Sequence, residues 1–168
     1  MKVIDYNGEG FWSVDEVSKR YTEYARSFGI QPRELTPFTH ETHDTRRIYP
    51  VMDRVIEGIE AGDPACAELG IEFIQTNDSF PFGRITKSNV ARALRRTKLT
   101  DAQKDRIRRR VIEMLEAEYL PREFRQYAKL ARKLGLREFL PRIREVANRS
   151  SAAWVQRYCA YLEEHASH

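Results

Sequence analysis

Residues 84–149 form a long series of amphipathic, strongly basic segments, and no other stretch limits the possible folds as much. This stretch carries 20 lysines and arginines against 8 aspartates and glutamates, a net charge of +12. Residues 1–83 carry 8 against 15, a net charge of −7, so the total of +4 hides a strong separation of charge. Such a separation favours a role in binding an acidic partner.

The spacing of apolar residues predicts an all-α fold. Apolar side chains recur every three or four positions in most of the chain, as they do on one face of a helix. We expect about seven antiparallel helices joined by short connections. Residues 1–6 are expected to form a short strand or an ordered arm, and residues 31–42 an irregular connection. A helix is predicted over residues 44–61, where Pro50 would kink it or mark its first turn.

Three helix starts carry capping signals. Ser13 with Glu16, and Thr100 with Gln103, have the spacing of a capping box, in which each side chain satisfies a backbone donor. Residues 63–64 place an aspartate before a proline, which is typical of the cap and first position of a helix. These signals predict helices that begin near residues 13, 63 and 100.

One short motif occurs twice in the basic region. The sequence YLPR at residues 119–122 returns as FLPR at residues 139–142. Each copy is expected to end one helix and to begin the next at its proline. The succession of helices over residues 63–165 resembles an α-solenoid of the HEAT or armadillo kind. This resemblance implies serially stacked helices, and an irregular helical bundle is the alternative.

We expect residues 1–168 to form a single all-α domain. Residues 1–43 would supply an N-terminal helix and an irregular arm, packed on the helical array of residues 44–168. The expectation depends on the absence of a low-complexity linker between the acidic and basic parts. The junction at residues 62–64 is only a tight helix-to-helix turn.

The basic helices are the predicted binding surface. Residues 84–110 carry 11 basic against 2 acidic side chains, too many to pair within the segment. They must meet solvent, the acidic first half of the chain, or an acidic protein surface or segment, and the last is our main prediction. Phe80 and Phe82 are expected to form an aromatic rim. The cations predicted to bind the partner are Arg84, Lys87, Arg95, Arg96, Lys98, Lys104, Arg108 and Arg109.

Nucleic acid, either DNA or RNA, is the alternative partner. Residues 88–111 loosely resemble a helix-turn-helix, with an arginine-rich second helix. Contacts with phosphates need only arginine and lysine, whereas reading bases needs side chains such as asparagine and glutamine, which are sparse in the second helix. The alternative therefore predicts binding without sequence preference.

A second alternative is a metal-dependent enzyme. His40 and His43 lie three residues apart beside Glu41 and Asp44, which is half of a metal site. The sequence contains no matching pair of ligands elsewhere, so the primary interpretation is a non-enzymatic protein without a metal or other cofactor.

The cysteines and the hydropathy indicate the cellular location of the protein. Cys66 and Cys159 are the only cysteines, and both are expected to be buried, unreactive thiols. No stretch approaches the roughly 18 apolar residues of a membrane span, so no membrane partner is predicted. We therefore expect a cytoplasmic protein.

Overall fold

The computed structural model describes residues 1–78, 80 and 82–166. These residues form eight α-helices and a small three-stranded sheet. The all-α prediction is therefore correct in its main feature, the helices, and it misses the sheet. The chain divides into two compact units, Met1–Leu99 and Thr100–His168. The expectation of a single domain stays a prediction.

The first unit contains all three strands and four helices. In chain order they are β1 (Lys2–Asp5), α1 (Val14–Ser27), β2 (Thr39–Glu41), β3 (Thr45–Ile48), α2 (Met52–Glu60), α3 (Pro64–Gln75) and α4 (Gly83–Arg96). The second unit contains α5 (Asp101–Glu116), α6 (Phe124–Leu134), α7 (Leu140–Arg149) and α8 (Ala153–Glu164).

The predicted helix over residues 44–61 is wrong in its first part. Residues Thr45–Ile48 form the central strand of the sheet, and the helix begins only at Met52, after Pro50. Strand β3 pairs in parallel with β1 and antiparallel with β2. Strands of three or four residues are too short to show an alternating pattern, and the pairing of Lys2 with Thr45 is not local. The local pattern therefore could not reveal β2, in the segment expected to be irregular, or β3, whereas the short strand expected within residues 1–6 is present as β1.

The predicted helix starts are confirmed. The Ser13 hydroxyl accepts the Glu16 N–H at 3.2 Å. Both bonds of the second capping box are present, at 3.1 Å for the Gln103 N–H and 3.0 Å for the Gln103 side chain. The Ser13 N–H instead donates to the Gly10 carbonyl of the preceding 3-10 turn, at 3.1 Å. Asp63 caps α3 by accepting the N–H groups of the two residues that follow Pro64.

Helix α3 is the centre of the first unit, where it packs against α1, α2 and α4. It is apolar on most sides, as expected of a buried helix. Gly58 of α2 lies very close to Cys66 of α3. A Cβ atom added at Gly58 would lie only 2.3 Å from the Cys66 Sγ, so the close approach of the two helices requires a glycine. The buried apolar residues of α3 include Leu69, Ile71, Phe73 and Ile74.

A buried ionic network joins α1 to α3. Arg20 is only 8% exposed, and its guanidinium donates to the Glu72 carboxylate and to the Phe11 carbonyl. Its Cζ atom also lies 3.6 Å from the centroid of the Phe11 ring. The Tyr24 hydroxyl donates to the same carboxylate. The network pairs an otherwise costly buried charge.

The second unit is built around α5, which packs against α6 and α7, while α8 packs on α7 and α6. The apolar stripe of Ile107, Val111 and Leu115 on α5 is buried. The two prolines of the repeated motif have different settings, since Pro121 lies in the connection before α6 and Pro141 lies in the first turn of α7. The α-solenoid interpretation stays a prediction.

Both cysteines are free and buried, as predicted. Burial raises the pKa of the Cys66 thiol to about 12, and it also raises the pKa of the Cys159 thiol. Both thiols are therefore protonated at neutral pH, which disfavours nucleophilic chemistry. None of the helices in the described residues is both long and apolar enough to cross a membrane.

Candidate functional site

The predicted basic surface is divided between the two units. Helix α4 belongs to the first unit, and α5 begins the second. We therefore describe each surface by itself, and the helix-turn-helix interpretation stays a prediction. The predicted cations of the first unit are Arg84, Lys87, Arg95, Arg96 and Lys98, and those of the second are Lys104, Arg108 and Arg109.

The outward face of α4 is strongly basic. The helix begins at Gly83, earlier than the predicted residue 88, and this adds Arg84 to its first turn. Arg84, Arg92 and Arg96 are exposed, and Arg95 is half-buried on the same side. At 100° per residue these four arginines fall within about one third of the circumference. No acidic residue occurs in the helix, so this charge has no compensation along α4 itself.

Two apolar side chains adjoin these arginines. Ile85 is 62% exposed on the first turn of α4, and Phe82, immediately before the helix, is 50% exposed. The Phe82 ring makes an edge contact with the Tyr6 ring, with centroids 4.9 Å apart. We call Arg84, Arg92, Arg95, Arg96, Ile85 and Phe82 the α4 face. It combines positive charge with exposed apolar area.

Two predicted site residues point into the first unit instead. Lys87 is buried, and its ammonium donates to the Thr76 carbonyl at 2.7 Å and lies 5.6 Å from the centroid of the Phe73 ring. Phe80 packs against Phe73 and Trp12, with centroids 5.2 and 6.1 Å apart. Both residues fix the segment before α4 to the core, so neither is part of the surface that we propose.

The predicted cations of α5 have partners inside the second unit. Lys104 lies 3.7 Å from the Asp101 carboxylate. Arg109 pairs with the Asp105 carboxylate four residues before it, at 2.7 Å. Arg108 is half-buried and donates to the Leu134 carbonyl at the end of α6, at 3.2 Å. Part of the charge of these cations is therefore neutralised inside the second unit.

A second candidate site, which the sequence interpretation missed, is a groove of about 670 Å³ between α6 and α8. Trp154, Tyr158 and Tyr161 lie on one side of α8, four and three residues apart, and Trp154 is 51% exposed. No acidic side chain lines the groove within the described residues. We call it the α6–α8 groove, and its lining residues are Arg125, Lys129, Trp154, Arg157, Tyr158 and Tyr161.

The two predicted metal-site histidines lie at the sheet edge. His40 is exposed on β2, and His43 is in the turn after it. The Nδ1 atom of His43 lies 2.7 Å from the Asp44 carboxylate, and both side chains are almost fully exposed. Among residues 1–78, 80 and 82–166, no group of three or more potential ligands could hold a metal ion. The metal-dependent alternative stays a prediction.

Comparisons with protein-family models, with curated proteins and with solved structures find no match to this chain. The two candidate surfaces are therefore interpreted from their own residues. The α4 face is basic and partly apolar, while the α6–α8 groove is basic and aromatic. These are different kinds of surface, and they suit different ligands.

Proposed function

We propose that this protein is a non-enzymatic interaction module whose α4 face binds an acidic protein segment. The observation that carries the proposal is a helix face with four arginines, no acidic residue in the helix, and exposed Ile85 beside them. Arginine pairs with carboxylates through two parallel hydrogen bonds, which suits it to this role. The charge would steer and orient the partner, while the apolar side chains would add affinity.

The exposed apolar area favours a protein partner over nucleic acid. Ile85 and Phe82 are 62% and 50% exposed, and an acidic amphipathic segment would cover them while its carboxylates meet the arginines. The phosphate backbone of a duplex would pair with the arginines but would make no apolar contact with the Ile85 side chain. Duplex DNA or RNA is therefore the competing ligand in the test.

Reversing two charges of the α4 face tests the proposal. We expect Arg84→Glu/Arg96→Glu to raise the Kd for a labelled peptide of alternating glutamates and leucines about tenfold, or about 1.4 kcal/mol. The loss should shrink at high salt, because exposed charge pairs are screened over about 8 Å at physiological ionic strength. Fluorescence anisotropy with the full chain, at two salt concentrations, measures both effects.

The matched control is Lys19→Glu/Arg26→Glu, which makes the same change in net charge on exposed positions of α1. We expect this control to change the Kd less than about twofold, since its positions lie outside the α4 face. An equal loss in both double variants would show a general charge effect and no α4 site. A duplex that binds more tightly than the peptide would make nucleic acid the partner. Circular dichroism establishes that both variants are folded.

Two further expectations belong with this proposal. We propose a cytoplasmic location, which the two free, buried thiols of Cys66 and Cys159 support, because reducing compartments keep cysteines unpaired. We also keep the serially stacked helical array as a proposed architecture, supported by the short connections between α5, α6, α7 and α8.

A further inference from the structure

We propose that the α6–α8 groove binds single-stranded nucleic acid, about two nucleotides at a time, as a function separate from that of the α4 face. Three aromatic and three cationic side chains line the groove. Proteins that hold single strands combine these two features, because bases stack on aromatic rings while phosphates meet basic side chains. Each nucleotide supplies one base and one negative charge, and the lining likewise contains equal numbers of aromatic and cationic side chains.

The aromatic side chains have the spacing of a stacking platform. Trp154 and Tyr161 lie seven residues apart on α8, or about 10 Å along its axis, with Tyr158 between them. Stacked nucleotides advance by about 3.4 Å per residue of a strand, so the row matches two or three of them. The volume of about 670 Å³ is within the range of small-ligand sites.

The cations lie on both walls of the groove. Arg125 and Lys129 are four residues apart on α6, and Arg157 faces them from α8. Within residues 100–166, no ion pair joins any of the three to an acidic side chain. Partial burial raises the pKa of the Tyr158 phenol, and the nearby Arg125 and Arg157 guanidiniums oppose that rise. The groove therefore places positive charge beside an aromatic ring, the combination that binds a phosphate and its base.

Two of the rings are already held in place. The Tyr158 ring meets the Phe124 ring edge-on, with centroids 4.8 Å apart. Arg132 donates to the Tyr161 hydroxyl at 3.2 Å, and its Cζ atom lies 5.3 Å from the centroid of that ring. A lining that is ordered before the ligand arrives loses less entropy on binding. The Trp154 ring is half exposed, so a base can stack on it.

An acidic peptide is the weaker candidate for this groove. Its carboxylates would pair with Arg125, Lys129 and Arg157, but acidic side chains have no flat face to stack on Trp154 or Tyr158. The α4 face offers aliphatic contact through Ile85, whereas this groove offers only rings and cations. The lining therefore favours a ligand in which every charge accompanies a ring.

Tryptophan fluorescence of the full chain tests the proposal. The two tryptophans differ strongly, since Trp12 is 3% exposed and Trp154 is 51% exposed. We expect tetrathymidylate to quench the emission of Trp154 by stacking, and we expect Trp154→Phe to abolish that quenching. Thymidine monophosphate should bind at least tenfold more weakly, since it engages only one ring and one phosphate. This tenfold difference corresponds to about 1.4 kcal/mol.

Charge removal supplies the second readout. We expect Arg125→Gln/Arg157→Gln to raise the Kd for tetrathymidylate about tenfold. We also expect it to reduce the slope of log affinity against log salt by about 1.4, or about 0.7 for each lost phosphate contact. The matched control is Arg122→Gln/Arg137→Gln, two exposed positions of the same unit outside the groove. It should leave the Kd within about twofold of the wild type.

Three outcomes would overturn the proposal. An equal effect of the two glutamine double variants would show non-specific attraction. A mononucleotide that binds as tightly as the tetranucleotide would show a small-molecule site and no strand. Quenching of Trp154 by the acidic peptide at lower concentration than by tetrathymidylate would make a protein segment the occupant. Arg84→Glu/Arg96→Glu should leave the quenching intact, so this inference and the proposed function fail independently.

Discussion

Arg20→Ala is expected to lower the free energy of unfolding of the first unit by about 3–5 kcal/mol, the usual cost of breaking a buried ion pair. The guanidinium is almost completely buried between Glu72 and the Phe11 carbonyl. Among the residues that the structure describes, its removal leaves the Glu72 carboxylate with only the Tyr24 hydroxyl as a partner, and it leaves the space against the Phe11 ring empty. Urea unfolding followed by circular dichroism measures the change.

The neighbouring Lys19→Ala is the matched control for Arg20→Ala, because Lys19 is exposed on the same helix. We expect it to change stability by less than about 0.5 kcal/mol. Arg20→Met/Glu72→Leu should recover part of the loss, since an apolar pair leaves no buried charge unpaired. A loss below about 1 kcal/mol for Arg20→Ala would contradict a structural role for this pair.

Gly58→Ala is expected to lower the stability of the first unit by about 1–3 kcal/mol through overpacking. A Cβ atom at this position would lie 2.3 Å from the Cys66 Sγ and 2.9 Å from the Cys66 Cβ, so α2 and α3 would have to separate. The direction of this change in stability is informative, because alanine in a helix is normally favoured over glycine by about 1 kcal/mol. The midpoint of thermal or urea unfolding reports the change.

Gly83→Ala is the control for the glycine prediction. Gly83 begins α4, and a Cβ atom there would make only an ordinary contact, at 3.4 Å from Phe80. We expect this substitution to leave stability unchanged or to raise it by up to about 1 kcal/mol. If Gly58→Ala also left stability unchanged or raised it, that result would contradict the close approach of α2 to α3 described above.

The features that the sequence predicted well have local chemical signals. Thr100 and Gln103 mark a helix start within four residues, and Asp63 does so with the proline that follows it. The start of α4 lacks such a signal, because Phe82 precedes it in a left-handed backbone conformation and makes no side-chain cap bond. The prediction therefore began that helix at residue 88 and left Arg84 outside it. Arg92 lies inside both the predicted and the observed helix, and its position about 80° from Arg84 around the helix would have pointed to it.

The features that were missed depend on contacts between distant residues. The pairing of β1 with β3 joins segments about forty residues apart, which local patterns cannot specify.

Helix α8 shows a different ambiguity, because it carries two neighbouring apolar stripes. Val155, Cys159 and Leu162 form the buried stripe, whereas Trp154 and its aromatic neighbours line the groove. Helical spacing alone does not distinguish the two stripes, whereas the packing of α8 on α6 and α7 does.

The central claim, that the α4 face is the docking surface for an acidic protein segment, is tested most directly by nuclear magnetic resonance. Amide signals of the isotopically labelled full chain are followed while the unlabelled glutamate–leucine peptide is added. We predict that the largest saturable shifts belong to Arg84, Ile85, Arg92 and Arg96. Saturable shifts that leave α4 unchanged and fall on other surfaces of the chain would contradict it.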